Sequence, residues 1–191
     1  LRRMRDTVGD IDVLVAAAES TGVMEAFCSL PQVSRVLAHG TTRSAIVTTS
    51  GIQVDLRVID PQVWGAALLY FTGSKPHNLR VRELAVRRGL KLSEYGLFRV
   101  EDDRLLATRT EEDIFTALGL PWIPPTLRED RGEIEAAFED ALPEVVELAD
   151  LRGDLHMHTD LTDGLASAAD MVAAAEARGY RYCAITDHAP A

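Results

Sequence analysis

Cysteine is nearly missing from this sequence: Cys28 and Cys183 stand far apart with no metal-ligand spacing. Reduced, partly buried thiols are therefore expected in place of a disulfide framework. Long apolar runs are missing too. No stretch approaches the ~20 residues that a membrane span requires, and the first residues carry no signal-peptide core, so a soluble, cytoplasmic protein is expected. Internal repeats are absent, and so is any excess of positive charge: 20 Lys and Arg face 30 Asp and Glu, for a net charge of −10. That balance looks wrong for a nucleic-acid enzyme until it is divided along the chain. Residues 1–100 hold 13 basic against 9 acidic side chains, residues 101–150 hold 4 against 15, and residues 151–191 hold 3 against 6. The acidity is local.

What is present begins with Gly9-Asp10-Ile11-Asp12-Val13-Leu14-Val15, answered some forty residues later by Gln53-Val54-Asp55-Leu56-Arg57-Val58. A strand alternates its faces, so Asp10 and Asp12 project together while Ile11, Val13 and Val15 enter the core. On the second strand Val54, Leu56 and Val58 form the apolar face and Asp55 the other. One pairing of these strands gathers all three acids. Crowded carboxylates repel unless a cation sits among them, and magnesium or manganese suits an all-oxygen set shared with substrate phosphates. A strand with two such aspartates can also be a plain solvated face, and Arg57 can serve only to neutralise Asp55.

The 191 residues, 47% of them hydrophobic, allow one large or two small domains around a packed core. Residues 10–15 read as a buried strand and 23–38 as helix interrupted at Pro31. Residues 43–49 and 52–59 read as a hairpin turning at Ser50-Gly51. Helix follows from Val63 to about Tyr70, breaks at Thr72-Gly73-Ser74, and resumes from about Pro76 until Gly89. A small hairpin around Asp102-Asp103, joining residues 95–100 to 104–107, precedes a helix from Glu111 to Leu118. The acidic segment that follows, with helix from Glu133 to Leu142, reads as a connector between domains. Arg80, Arg82, Arg87, Arg88 and Lys91 form a stripe that is either phosphate-facing or merely solvated.

A second chemical signature comes after the connector: Asp154-Leu155-His156-Met157-His158, then Thr162-Asp163-Gly164, then Ile185-Thr186-Asp187-His188. Histidines at i and i+2 on a strand share a face and can grip a transition metal. Asp163 and His188 would complete part of the cluster. Residues 167–178 carry apolar positions at helical spacing and end at Gly179, and Tyr182-Cys-Ala-Ile-Thr reads as a buried strand. This βαβ unit brings both motifs to one sheet edge, where α/β folds place their chemistry.

Residues 1–125 resemble the palm and thumb of a family X DNA polymerase, the group that includes DNA polymerase beta, and residues 151–191 resemble the opening of a PHP (polymerase and histidinol phosphatase) domain. Gly-Asp-Ile-Asp and Leu69-Tyr70-Phe71-Thr72-Gly73-Ser74 carry the first likeness, and the three histidine-bearing motifs the second. The resemblance implies an α/β chain: an α+β nucleotidyltransferase palm over 1–68, a thumb and nucleotide-selection subdomain over 69–125, an acidic linker over 126–150, and the first βαβ unit of a PHP barrel over 151–191. Asp10, Asp12 and Asp55 would be catalytic and hold two Mg2+ or Mn2+ ions for nucleotidyl transfer. Arg3 matches a triphosphate-contacting arginine. Tyr70, Phe71, Thr72 and Gly73 match the turn under the nucleotide sugar; the alternative for the two aromatics is that they are core residues at a helix end. Asn78 and Arg82 match positions at the minor-groove edge and template. At the PHP site His156, His158, Asp163 and His188 would bind Mn2+ or Zn2+.

The implied activity is gap-filling DNA repair synthesis coupled to a phosphoesterase or 3′-5′ exonuclease, with gapped DNA and dNTP as partners, no membrane, and a monomeric state. Departures are visible. Gln53 stands where the beta-type enzymes have arginine. The Gly-Ser pair and DNA-binding domains expected before Leu1, and the remaining PHP ligands expected after Ala191, lie outside this sequence, so a fragment with weak DNA binding is expected. Two other readings compete: a PHP phosphatase for small phosphate esters with a nucleotide-binding appendage, and a scaffold whose acidic segment recruits proteins.

Overall fold

The computed structural model describes residues 1–189. The chain divides into two compact units, Leu1–Pro143 and the segment from Glu144 onward. The first unit opens with strand β1 (Asp10–Ala16), helix α1 (Thr21–Cys28), and strands β2 (Val33–His39), β3 (Arg43–Thr48) and β4 (Gln53–Ile59). They form a four-stranded sheet in the order β1-β4-β3-β2, with β1 parallel to β4 and the other pairs antiparallel. Alternation drives this layer: Leu56 and Val58 on β4 and Ile46 on β3 are buried, and α1 covers them with Met24 and Phe27, three residues apart on one helical face.

The expected helix over residues 23–38 stops at Cys28. Residues 33–39 are instead the edge strand β2, half-covered and largely exposed, and two register shifts in its pairing with β3 break its alternation. The hairpin β3–β4 turns at Ser50-Gly51 as expected.

Helix α2 (Trp64–Thr72) is apolar on nearly every side and is buried through Gly65, Ala66, Ala67 and Leu69. Gly65 is required by close approach, because a Cβ there would lie 2.3 Å from the Thr110 backbone. Helix α3 (Lys75–Arg87) starts at Ser74, whose hydroxyl accepts from the His77 amide, with Pro76 in the first turn. Strands β5 (Leu90–Ser93), β6 (Gly96–Arg99) and β7 (Leu105–Ala107) make a small antiparallel sheet. Helix α4 (Glu111–Ala117) is capped by Thr110 and carries three acids in its first turn, where the helix dipole favours them. These elements share one core that includes Leu69, Val81, Leu97, Ile114, Phe115 and Ile123.

The acidic segment corrects another expectation. Helix α5 (Glu133–Phe138) is shorter than the expected 133–142 and packs Ile134 and Ala137 into that same core, so residues 126–143 are part of the first unit and not a solvated connector. Its acids also take up part of the basic stripe. Arg80 pairs with Glu135 and Asp130, whereas Arg87 pairs with Glu83 of its own helix, Arg88 donates to the Leu118 carbonyl and lies over the Phe138 ring, and Arg82 lies over the Tyr70 ring.

The second unit holds β8 (Gly153–Met157), α6 (Ala168–Ala177) and β9 (Tyr182–Ile185), a parallel βαβ unit as expected. The expected burial of β9 does not hold: Tyr182 and Ile185 are exposed, since one neighbouring strand and one helix cover only part of it. Cys28 and Cys183 are both free and half-buried. Among the described residues no helix is long and apolar enough to cross a membrane.

Candidate active site and metal centre

In the parallel pairing of β1 with β4, Asp10 stands opposite Gln53 and Asp12 opposite Asp55. Paired residues of adjacent strands share a face, so register alone brings Asp10, Asp12 and Asp55 together. Burial, then the charges of Asp10 and Asp55, push the Asp12 carboxyl above its ordinary range, against the opposing pull of Arg57 and Arg43. Asp55 is buried, which alone would raise it. Hydrogen bonds from Arg43 Nη2 to Oδ1 (2.8 Å) and from Gln53 Nε2 to Oδ2 (2.7 Å) outweigh burial and hold it below. A carboxylate offers about four lone-pair directions, so two remain for another partner. An all-oxygen, net negative set of this kind fits a hard divalent cation.

Asp10 and Asp12 line a cavity of about 350 Å3 together with Arg2, Arg3, Phe71 and Thr72. Arg3 reaches it from the segment before β1 and is ion-paired with Glu129; Arg2 donates to the Thr72 hydroxyl. At the end of α2, Tyr70 and Phe71 meet edge to face at 4.9 Å. The Arg57 guanidinium lies 4.9 Å from the Phe71 ring centre and that of Arg82 lies 5.0 Å from Tyr70. Neither aromatic is plain core. Asn78 on α3 donates to the Tyr70 carbonyl at 2.7 Å, and Tyr70, Gly73, Asn78 and Arg82 line an adjoining cavity. The turn between α2 and α3 is pinned further by Ser74, whose amide donates to the Arg128 carbonyl.

In the second unit β8 carries His156, and His158 follows directly after its last residue, Met157. Their rings stack at 5.1 Å with the two Nε2 atoms 3.1 Å apart. Asp163 bridges onward, its Oδ1 2.6 Å from His158 Nδ1 and its Oδ2 3.3 Å from His188 Nε2. Ligating atoms of His158, Asp163 and His188 lie within 4.8 Å of one another, the one group so tight among the described residues. Asp10, Asp12 and Asp55 share a face, but their ligating atoms do not all approach within that spacing. The hydrogen bond from His158 holds the Asp163 carboxyl below its ordinary value. Mixed imidazole and carboxylate donors suit manganese or zinc.

Several functional contacts were not visible in the sequence. Arg43, Arg2 and the buried Glu111–Arg128 pair act across the fold and leave no local pattern. Asp187 had a signal, since it sits in Thr186-Asp187-His188. Hydrogen bonds from the Thr159 hydroxyl and amide and from the Thr162 hydroxyl hold it at about 2, and they tie the loop bearing Asp163 to the strand end bearing His188. Gly164 lets that loop close, since a Cβ would meet the His158 carbonyl at 2.4 Å.

Comparison with known proteins follows the same division. Residues 67–129 match the family model for the DNA polymerase beta thumb, and residues 154–191 match that for the PHP domain. The chain is 38% identical over 190 residues to DNA polymerase/3′-5′ exonuclease PolX of Bacillus subtilis (strain 168), a match covering 98% of this chain and 33% of that protein. It is 30% identical to DNA polymerase lambda of Rattus norvegicus over 156 residues, 67% of this chain and 27% of the other. Among solved structures, Leishmania infantum polymerase beta in a ternary P/T complex is similar with a TM-score of 0.57 and 27% identity, covering 67% of this chain and 64% of that one. The chain therefore spans about a third of the length of the curated relatives it matches. It belongs to the family X DNA polymerases that carry a PHP domain.

Proposed function

We propose that the first unit is the nucleotidyl-transfer centre of a gap-filling DNA polymerase and that the second opens a metal-dependent phosphoesterase with 3′-5′ exonuclease activity. The observation that carries the first part is the β1–β4 register, which sets Asp12 beside Asp55 on the face that also bears Asp10. Residues 1–68 act as palm and 69–125, with 126–143 packed on them, as thumb. Asp10, Asp12 and Asp55 would hold magnesium or manganese; bound there, the ions lower the pKa of the primer 3′-hydroxyl and stabilise charge on the phosphates. Arg3 meets the triphosphate, and its guanidinium exchanges Glu129 for phosphate oxygens. The turn from Tyr70 to Gly73 packs under the sugar, and Asn78 and Arg82 face the base pair and template.

At the second centre His156, His158, Asp163 and His188 would hold manganese or zinc, which supplies an activated water for phosphoester hydrolysis. The two centres are separate, and that makes the reading testable. Primer extension on one-nucleotide gapped DNA with the full-length protein should give incorporation with magnesium or manganese. Asp55→Ala should reduce it on the order of 10³-fold while 3′ trimming stays near normal. His156→Ala combined with His158→Ala should do the reverse. Loss of both activities in either variant would sink the assignment of two independent centres.

A further inference from the structure

Asp55 is held by a residue that does not come from its own strand. Arg43 begins β3, and the antiparallel register sets Ala45 opposite Asp55 and Arg43 opposite Arg57. Arg43 is therefore the diagonal neighbour of Asp55 on the face that carries the acids, close enough for a long side chain to cross. Its Nη2 lies 2.8 Å from Asp55 Oδ1. On the strand of Asp55 itself, two residues earlier and on the same face, stands Gln53, whose amide nitrogen takes Oδ2 at 2.7 Å. A glutamine at that place can hold one oxygen but brings no charge. Arg57, two residues later on the same face, is turned to the Phe71 ring. The hydrogen-bonded positive charge on Asp55 thus comes from the adjacent strand.

We propose that Arg43 is the positioning residue for Asp55. With Gln53 it clamps the carboxylate by both oxygens, fixes its rotamer, and presents the remaining lone pairs toward Asp10 and Asp12. The inference rests on the polymerase reading of the acidic trio. Three carboxylates on one face repel, and the most buried of them has no other ion-pair partner among the described residues. Without Arg43 the Asp55 side chain is free to turn from its neighbours, and the position at which a shared cation and a 3′-hydroxyl must meet is lost. The Arg43 side chain is itself more than half exposed, with 56% of its surface accessible. Its removal therefore leaves no large void, which separates a positioning role from a packing one.

The experiment measures single-nucleotide incorporation by the full-length protein on gapped DNA, with amide hydrogen exchange in α2 and α4 as the control for folding and magnesium-dependent protection of β1 and β4 as a readout independent of turnover. Arg43→Ala should lower kcat at least 10-fold and raise the magnesium concentration needed for half-maximal rate, with dNTP KM changed less than 3-fold. Arg43→Lys, a point charge that reaches one oxygen, should retain an intermediate kcat. The decisive variant combines Arg43→Ala with Gln53→Arg, which returns a guanidinium to Asp55 from its own strand and should recover most of the loss. Unchanged kcat in Arg43→Ala overturns the proposal, as does a loss that neither Arg43→Lys nor the added Gln53→Arg relieves. Should Arg43→Ala lower the unfolding midpoint, Arg43→Gln replaces it and is read against Arg43→Lys by the same criteria. A parent protein without incorporation overturns the polymerase reading instead, which keeps the two failures distinct.

Discussion

Glu111 is the residue on which the first unit's charges converge. It is buried, and it accepts hydrogen bonds from Arg128 at 2.6 and 3.1 Å, from Arg2 at 3.1 Å through both guanidinium nitrogens, and from Trp122 Nε1 at 3.1 Å. Burial alone would raise its pKa, but the Arg128 and Arg2 hydrogen bonds prevail and hold it at about 2. The sign of the consequence follows from linkage. A carboxylate lower in the folded than in the unfolded chain stabilises fully above its unfolded value near 4.5 and loses that contribution as pH falls toward 2. The shift corresponds to about 3 kcal/mol. Urea midpoints should therefore fall between pH 5 and pH 2.5 in the parent and fall less in Glu111→Gln; parallel curves would refute the coupling. At pH 7 Glu111→Gln leaves Arg128 buried without its counter-charge and should cost about 3–5 kcal/mol. Because Arg2 also donates to Thr72, the loss should reach the turn after α2 as a raised dNTP KM.

Helix α2 holds Tyr70, Phe71 and Thr72 and is seated by Gly65 against the start of α4. The Gly65 and Ala66 amides donate to the carbonyls of Arg109 and Thr108, both at 3.0 Å. Gly65→Ala should push the helix off this seat, cost about 1–3 kcal/mol, and lower incorporation more than a surface Gly→Ala change; calorimetry and gap filling check both. The elements differ in how plainly the sequence announces them. β1 and β4 are legible because strict alternation of acid and aliphatic residues fits only a half-buried strand. β2 is not: its two bulges place Val33, Val36 and Leu37 at helix-like intervals, so an edge strand imitates a helical face. β5, the four residues directly after Gly89, is too short to display a period. The site divides in the same way. Asp10, Asp12, His156 and His158 are paired within single strands and can be read locally. Arg43 on Asp55, and Arg128 on Glu111, depend on register and packing between segments 12 and 17 residues apart, which no local window contains.

The whole molecule distributes its charge by function. Within the first unit, acids of residues 126–143 take up basic side chains: Glu135 and Asp130 neutralise Arg80, and Glu129 holds Arg3. The second unit stands apart in its core as in its chemistry, with few buried apolar side chains, Met157 and Ala175 among them. A unit with so little core depends on other bonds for its order, and the loop carrying Asp163 is fastened by Asp187, Thr159 and Thr162. A cation shared by His158, Asp163 and His188 would cross-link the ends of β8 and β9 with that loop. Binding to the folded form alone stabilises by about 2.7 kcal/mol at a hundredfold excess over Kd. Zinc should accordingly slow amide hydrogen exchange across β8, α6 and β9 of the full-length protein by about two orders of magnitude at that excess. Exchange in α2, α4 and their shared core should stay unchanged, and a chelator should reverse the effect. His158→Ala should abolish the response without altering exchange in the first unit. Protection that spreads equally through both units, or survives in His158→Ala, would place the metal elsewhere and join what the fold keeps separate.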